Sequence, residues 1–514
     1  MSAGVLVIGL DAADANLLEA WAAEGRLPTL ASMHQTAARA SLNNCVDTLQ
    51  GAIWPEIVSG RSADRHGRYY HPRQLHTGES ELRPLTQQEV EPEETYWSVA
   101  SQHGLRVAVV DVTQAAMDPR LNGIQVLEWG LHDRTFVIDS YPRSLLPDIQ
   151  RRYGSHPVHI CDYYRTTQGG YRHLLRDLKA GIRTKTKLII DLLGRESWDL
   201  FTFNFSETHC AGHHFWHLHD PNSPWHDPNS PADLKDALFE VYREIDEAVG
   251  RVIAAAGDES RTVMLTSHGM GLYNGGYQLM PEIVSRMGLG SDEGRASSGI
   301  MRRFNNSLKR VVPRAVLPLV YRMAETGPVR RFQQHNGCMV SPLQSPETQA
   351  AALPNNRIGA VRLNLQGREP FGRIAPGAEA KALLKDIAAE FESLVLPGST
   401  TPIIEWARPI EDVFSAEHHP DLPDLLVRFR DDLGVLETCE SPRLGRIRVP
   451  LNRSYNPRTG DHTKTSRLWL KTPEVRPGAL LPEANSIDVA PTVLKMLGVP
   501  VPNWMDGQPL PAVA

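Results

Sequence analysis

The stretch that most constrains this chain is Trp198–Asp220. Its first part, W-D-L-F-T-F-N-F, is an apolar, aromatic run of strand length. Its second part, Ser206–Asp220, reads S-E-T-H-C-A-G-H-H-F-W-H-L-H-D and holds His209, His213, His214, His217 and His219. His209 and His213 stand four apart, so on a helix they share one face. Glu207 falls at the strand end, where open α/β sheets collect their ligands. Imidazole suits zinc, iron or copper, and two ligands on one turn cost little ordering entropy. His209 and His213 are therefore read as metal ligands. The competing reading is a solvated His-rich loop, or histidines packed beneath Phe215 and Trp216.

Other runs repeat the strand-then-polar pattern. Val5–Leu10 is continuously apolar and delivers Asp11, a candidate hard-oxygen ligand; Asp14 better suits the cap of the following helix. Arg106–Val112 ends near Asp111, and Arg261–Thr266 runs into Ser267-His-Gly-Met-Gly271. Helical spacing marks Ile53–Val58, stopped by Gly60, then Leu174–Gly194 and Ala232–Ala256. Residues 121–171 read as long loops or a small cap. Alternating strands and helices through Gly271 predict an α/β fold with a doubly wound, mostly parallel sheet. The pattern then breaks. Residues 300–331 are strongly basic and interrupted by Pro313, Pro318 and Pro328. Residues 281–354 are accordingly expected to be a helical basic insertion or cap. The core is expected to be 1–280 and 355–514, with strands Ile358–Leu365, Ile403–Trp406 and Asp424–Phe429 and a helix Ala378–Leu394.

Composition excludes several classes. A net charge of −6 over 514 residues carries no nucleic-acid or membrane footprint. No apolar run reaches spanning length. The first apolar run lacks a basic flank and ends at Asp11, so it reads as a strand and not a signal peptide. The 5 cysteines are scattered and odd in number, which fits a reducing cytoplasm. No P-loop and no G-x-G-x-x-G occurs. The expected partner is a small anionic substrate, with a homo-oligomer compatible with the sequence.

The order of the pieces resembles the alkaline phosphatase superfamily, most closely its type I phosphodiesterase and nucleotide pyrophosphatase branch. V-L-V-I-G-L-D-A-A-D with R-L-P-T-L downstream resembles the family's first strand and metal aspartate. W-P-E-I-V-S-G-R-S-A-D-R-H-G resembles its nucleophile helix, and T-S-H-G-M-G its S-D-H-G strand end. G-D-H followed by S-I-D-V-A-P-T-V-L-K-M-L-G-V-P-V-P-N-W-M-D-G resembles its last ligand and closing helix. The resemblance implies an alkaline-phosphatase-like fold and a two-metal site, with Asp11, His213, His268 and His462 at matching ligand positions.

Three positions depart from that pattern. His209 stands where the family has an aspartate, Ser267 where it has the aspartate of D-H-G, and Gln50 at the nucleophile position, with Thr48 two residues off. A first site of His209, His213 and His462 keeps three ligands and loses a negative charge. The second keeps Asp11 and His268, with Glu207 or Ser267 as helpers. The implied cofactor is a divalent metal, zinc first and iron or manganese after it, with one firm ion.

The reading that follows is a metal-dependent hydrolase of a phosphate ester, phosphodiester, phosphonate or sulfate, using water activated at the three-histidine site. Glu207 would be general base or would fix a histidine tautomer. Gln50 cannot form a phosphoryl ester; Thr48 would need the loop to shift. Two alternatives stand beside it: a re-tooled single-metal transferase, lyase or redox enzyme on the same fold, and an inactive binding protein.

Overall fold

The computed structural model describes residues 3–511, except 71–72, 80, 132–137, 159–160, 162–165, 291–338, 341–342, 344, 356, 415–416 and 452–456. Most of the expected basic insertion lies outside the described residues. The chain forms two compact units: Met1–Ala63, Thr86–Asn274 and Leu451–Ala514 in the first, Asp64–Leu85 and Gly275–Pro450 in the second.

The first unit is built on a nine-stranded sheet. In chain order its strands are β1 (Ala3–Leu10), β2 (Ala38–Asn43), β3 (Val107–Val110), β4 (Gly123–Leu127), β5 (Asp139–Tyr141), β6 (Trp198–Phe205) and β7 (Arg261–Thr266). A short ribbon of β8 (Gly269–Leu272) and β9 (Gly460–Thr463) stands beside the sheet, which is completed by β10 (Arg467–Lys471) and β11 (Ala484–Asn485). The sheet order is β11-β2-β10-β7-β1-β6-β3-β4-β5. The five central strands β7, β1, β6, β3 and β4 are mutually parallel, while β10 and β5 run against their neighbours.

Side-chain alternation builds a core on each face of this sheet. Leu6, Ile8, Leu10, Phe201, Phe203, Phe205 and Met264 point into one apolar layer. Val5, Val7, Leu200, Val263 and Leu265 point into the other. Strands buried on both faces need uninterrupted apolar sequence, as β1 and β6 have. The helices that matter below are α1 (Ala15–Ala23), α2 (Ile53–Ser59), α3 (Gln168–Leu193), α4 (Glu207–His219), α5 (Ala237–Ala256) and α6 (Val489–Met496). The first, third, fourth and fifth contribute to the first layer, the second and sixth to the other. This is the doubly wound, mostly parallel arrangement expected. Asp14 caps α1 by accepting from the Leu17 N–H, and α2 ends at Gly60 with φ 67°, a left-handed stop that glycine adopts without strain.

Two expectations need correction. Residues 121–171 are not simply loops, because β4 and β5 extend the sheet at one edge and Leu145–Tyr153 is a helix. The signal is weak because β4 has only 5 residues and β5, at the sheet edge, only 3. Second, 355–450 does not join the parallel core. It belongs to the second unit, where Ala350–Leu353, Gly359–Leu363, Leu425–Phe429 and Ile404–Pro409 form an antiparallel sheet in that order. The helix Ala378–Glu392 packs its Ile387 and Phe391 into the same core as Val361, Leu363 and Val427. Apolar strand runs identify strands without revealing which sheet takes them.

Candidate metal centre

Parallel register decides where the polar residues gather. Leu10 lies beside Phe205 on one side and Thr266 on the other, so Asp11, Ser206 and Ser267 leave the sheet together at its C-terminal edge. The α4 helix starts there and is buried from Glu207 to Leu218. Its His209 and His213 rings lie 4.5 Å apart, centre to centre.

The third imidazole arrives from far along the chain. A Cβ on Gly460 would sit 2.3 Å from the Gly212 carbonyl oxygen, so only glycine lets β9 approach the α4 backbone this closely. At that crossing the Thr459 N–H donates to the His213 carbonyl at 2.6 Å. The His213 Nδ1–H donates to the Gly460 carbonyl at 2.8 Å. Two residues on, His462 Nε2 lies 2.9 Å from His209 Nε2 and 3.1 Å from His213 Nε2. All three side chains are buried. Among the described residues, this is the one group of three or more His, Cys, Asp or Glu residues close enough to share an ion.

The donor set fits a divalent metal. Neutral imidazole has one N–H and one lone pair. With the His213 proton on Nδ1, its Nε2 lone pair points at the common centre, the arrangement that a metal-ligating histidine has when its other nitrogen donates to a carbonyl. Three nitrogens and no carboxylate match the three-histidine sets that hold zinc with a further position open.

The other expected site residues fall around this centre in different ways. His268 packs on His462 with ring centres 4.1 Å apart, and its Nε2 is 3.9 Å from Asp11 Oδ1. Asp11 Oδ1 accepts from the Trp54 indole N–H at 2.8 Å and from Ser267 Oγ at 2.9 Å. Ser267 Oγ in turn accepts from the Ala12 N–H, which fixes the direction of its proton. Gln50, buried, contacts His462 Nδ1 through its amide. The Thr48 hydroxyl donates to the Cys45 carbonyl at 3.0 Å. Arg61 pairs with Glu91 and Glu94.

Glu207 lies at the start of α4, one turn from the three-imidazole group. Its Oε1 meets His156 Nε2 at 3.1 Å and the Lys185 ammonium at 3.7 Å. Lys185 is fully buried, lies 3.4 Å from Asp111 Oδ2 and donates to the Gly130 and Asn204 carbonyls. Burial alone would raise the Glu207 carboxyl, but Lys185 and His156 outweigh it and hold it below the ordinary glutamate range. A lowered pKa makes a weak base. A buried ammonium requires counter-charge, and Glu207 and Asp111 supply it. Glu207 is thus held as a buried counter-charge to Lys185 and a partner of His156. Sequence reading missed Lys185, whose position on the inner face of α3 was the available signal, and it missed the bond from Trp54 to Asp11.

The model of the type I phosphodiesterase / nucleotide pyrophosphatase family matches residues 5–441. The match stops short of His462, so the third imidazole is placed by geometry. Among solved structures, an inactive variant of murine ectonucleotide pyrophosphatase/phosphodiesterase 5 in complex with AMP aligns with TM-score 0.50 at 9% identity, over 97% of this chain and 96% of that chain. The human protein of the same name gives 0.49 at 10% identity, over 98% and 97%. At such identity the murine likeness speaks for the alkaline-phosphatase-like fold alone. No curated protein sequence matches the chain.

Proposed function

Because the chain belongs to the type I phosphodiesterase / nucleotide pyrophosphatase family, we propose that it is a metal-dependent hydrolase of small anionic phosphodiesters. The observation that carries this reading is the convergence of the His209, His213 and His462 Nε2 atoms on one buried point. These three residues would hold the ion, zinc first and iron or manganese after it. A divalent ion there supplies Lewis-acid activation of water and of a phosphoryl oxygen. His213 is held on the Gly460 carbonyl, which keeps its lone pair inward. His268, whose ring lies tilted against His462 with 4.1 Å between ring centres, would donate to the anionic substrate.

The reading is of one ion per chain. Asp11 and His268 are two ligands where a second ion would need more, and Asp11 Oδ1 already has two hydrogen-bond donors. Water attacks directly, since Gln50 cannot carry a phosphoryl group and the Thr48 hydroxyl is turned to a backbone carbonyl.

The test is turnover of bis(4-nitrophenyl) phosphate by purified protein. Activity lost to EDTA and regained with zinc or manganese is expected. A protein that holds one ion per chain yet cleaves no phosphate, phosphonate or sulfate ester would overturn the hydrolase. The presence of Gln50, Ser267 and His209 at three positions of the family's machinery favours, in that event, single-metal chemistry of another class on the same fold.

A further inference from the structure

Gln50 stands at the family's nucleophile position, yet its amide is directed at a ligand and not at substrate. It is buried, and it meets His462 Nδ1 on the side of the ring opposite the three-nitrogen centre. For His462 to offer its Nε2 lone pair to an ion, the ring proton must sit on Nδ1 and find an acceptor. Each of the other two rings reaches the centre from the adjacent helix; His462 arrives on a strand, so its orientation depends on what it meets at Nδ1.

The side-chain amide offers both halves of that requirement. The nitrogen and oxygen of a glutamine amide are nearly interchangeable in shape. With the nitrogen toward His462, the ring carries its proton on Nε2 and can donate to His209 or His213, a self-contained histidine cluster. With the oxygen toward His462, Nδ1–H donates to Gln50 Oε1 and Nε2 is freed for an ion. The Gln50 Oε1 atom has no hydrogen-bond partner among the described residues, so turning the amide breaks no bond made by that oxygen.

We infer that Gln50 is a positioning residue for the metal: its amide oxygen holds His462 in the Nδ1–H tautomer that binds the ion. The inference rests on the three-histidine reading above, and it converts a lost nucleophile into a support for the ligand set. Thr or Ser at this position would be too short to reach the same nitrogen without moving the backbone.

The test is zinc affinity of metal-stripped protein, measured by competition with a chromophoric chelator, for wild type, Gln50→Met and Gln50→Glu. Methionine keeps the size and removes the acceptor; glutamate keeps the acceptor and strengthens it. Loss of an outer partner of a ligating histidine typically costs about 10–100-fold in metal affinity. That loss is expected for Gln50→Met, with affinity kept or tightened in Gln50→Glu. The melting temperatures of the metal-free proteins should stay alike, which a merely structural role would not give. Should the methionine variant fail to fold, Gln50→Leu carries the same expectation. Wild-type affinity in the methionine or leucine variant would overturn the role of Gln50 while leaving the metal centre standing. A wild-type protein that binds no zinc, iron or manganese would instead remove the centre, and this inference with it.

Discussion

Two corners of one sheet edge handle polar groups in opposite ways. Where α4 meets β9, three imidazole nitrogens converge on one shared point. Where β1 meets β7, a carboxylate oxygen is encircled by donors: the Trp54 indole and the Ser267 hydroxyl both reach Asp11 Oδ1. The first corner is rich in lone pairs and suits a cation. The second holds a carboxylate that already accepts two hydrogen bonds on one oxygen. A carboxylate at a strand end is thus not a ligand by position alone; its neighbours decide whether its charge is available.

The comparison breaks most visibly if the first corner holds no ion. His213→Ala should lose the metal and drop hydrolysis to the level of the EDTA-treated protein, as read by elemental analysis and phosphodiester turnover. The second corner can be turned into the first. Ser267→Asp replaces a donor with a second carboxylate beside Asp11, so the metal content should rise from one ion per chain to two. Without added metal this variant should melt below wild type, because two buried carboxylates repel. An unchanged metal content would mean that Ser267 is not what closes the second position.

Behind both corners, the Lys185 cluster fixes where Glu207 points. Lys185→Met leaves Asp111 and Glu207 buried without their counter-charge, a change that typically costs about 3–5 kcal/mol. Chemical denaturation measures it, and a loss under about 1 kcal/mol would show that the cluster is no strong constraint.

Asp14 gives a pH-dependent test next to the second corner. Burial pushes its carboxyl from 3.8 up to about 6. A raised folded pKa means that the neutral form is favoured by folding. Its contribution is full below about pH 4 and is lost as pH rises through 6. The Asp14→Asn substitution keeps a capping oxygen and introduces a side chain that never ionises. That variant should therefore exceed wild type by on the order of 2–3 kcal/mol above pH 7 and match it near pH 4. Equal stability at both pH values would mean that Asp14 ionises without penalty. Trp54→Phe removes one hydrogen bond to the Asp11 carboxylate and costs about 1.5–3 kcal/mol. Metal content of the first corner should not change in this variant.

The residues themselves determined a good part of this protein. Apolar runs of strand length fixed β1, β6 and β7, because strands buried on both faces tolerate little else. The four-residue spacing of His209 and His213 fixed their shared face, since a helix turn is local. Glycine and aspartate marked where α1 begins and α2 ends. What the tertiary structure alone decided depends on contacts between distant segments. It brought His462 to α4 through the narrow crossing at Gly212 and Gly460. It set the Gln50 amide on His462 and the Trp54 indole on Asp11. It also drew Glu207 to Lys185, and it gave the strands between 350 and 429 a sheet of their own. Periodicity reports which face of an element is buried, whereas the partner of a buried charge or ring nitrogen is set by packing across hundreds of residues, which no local pattern records.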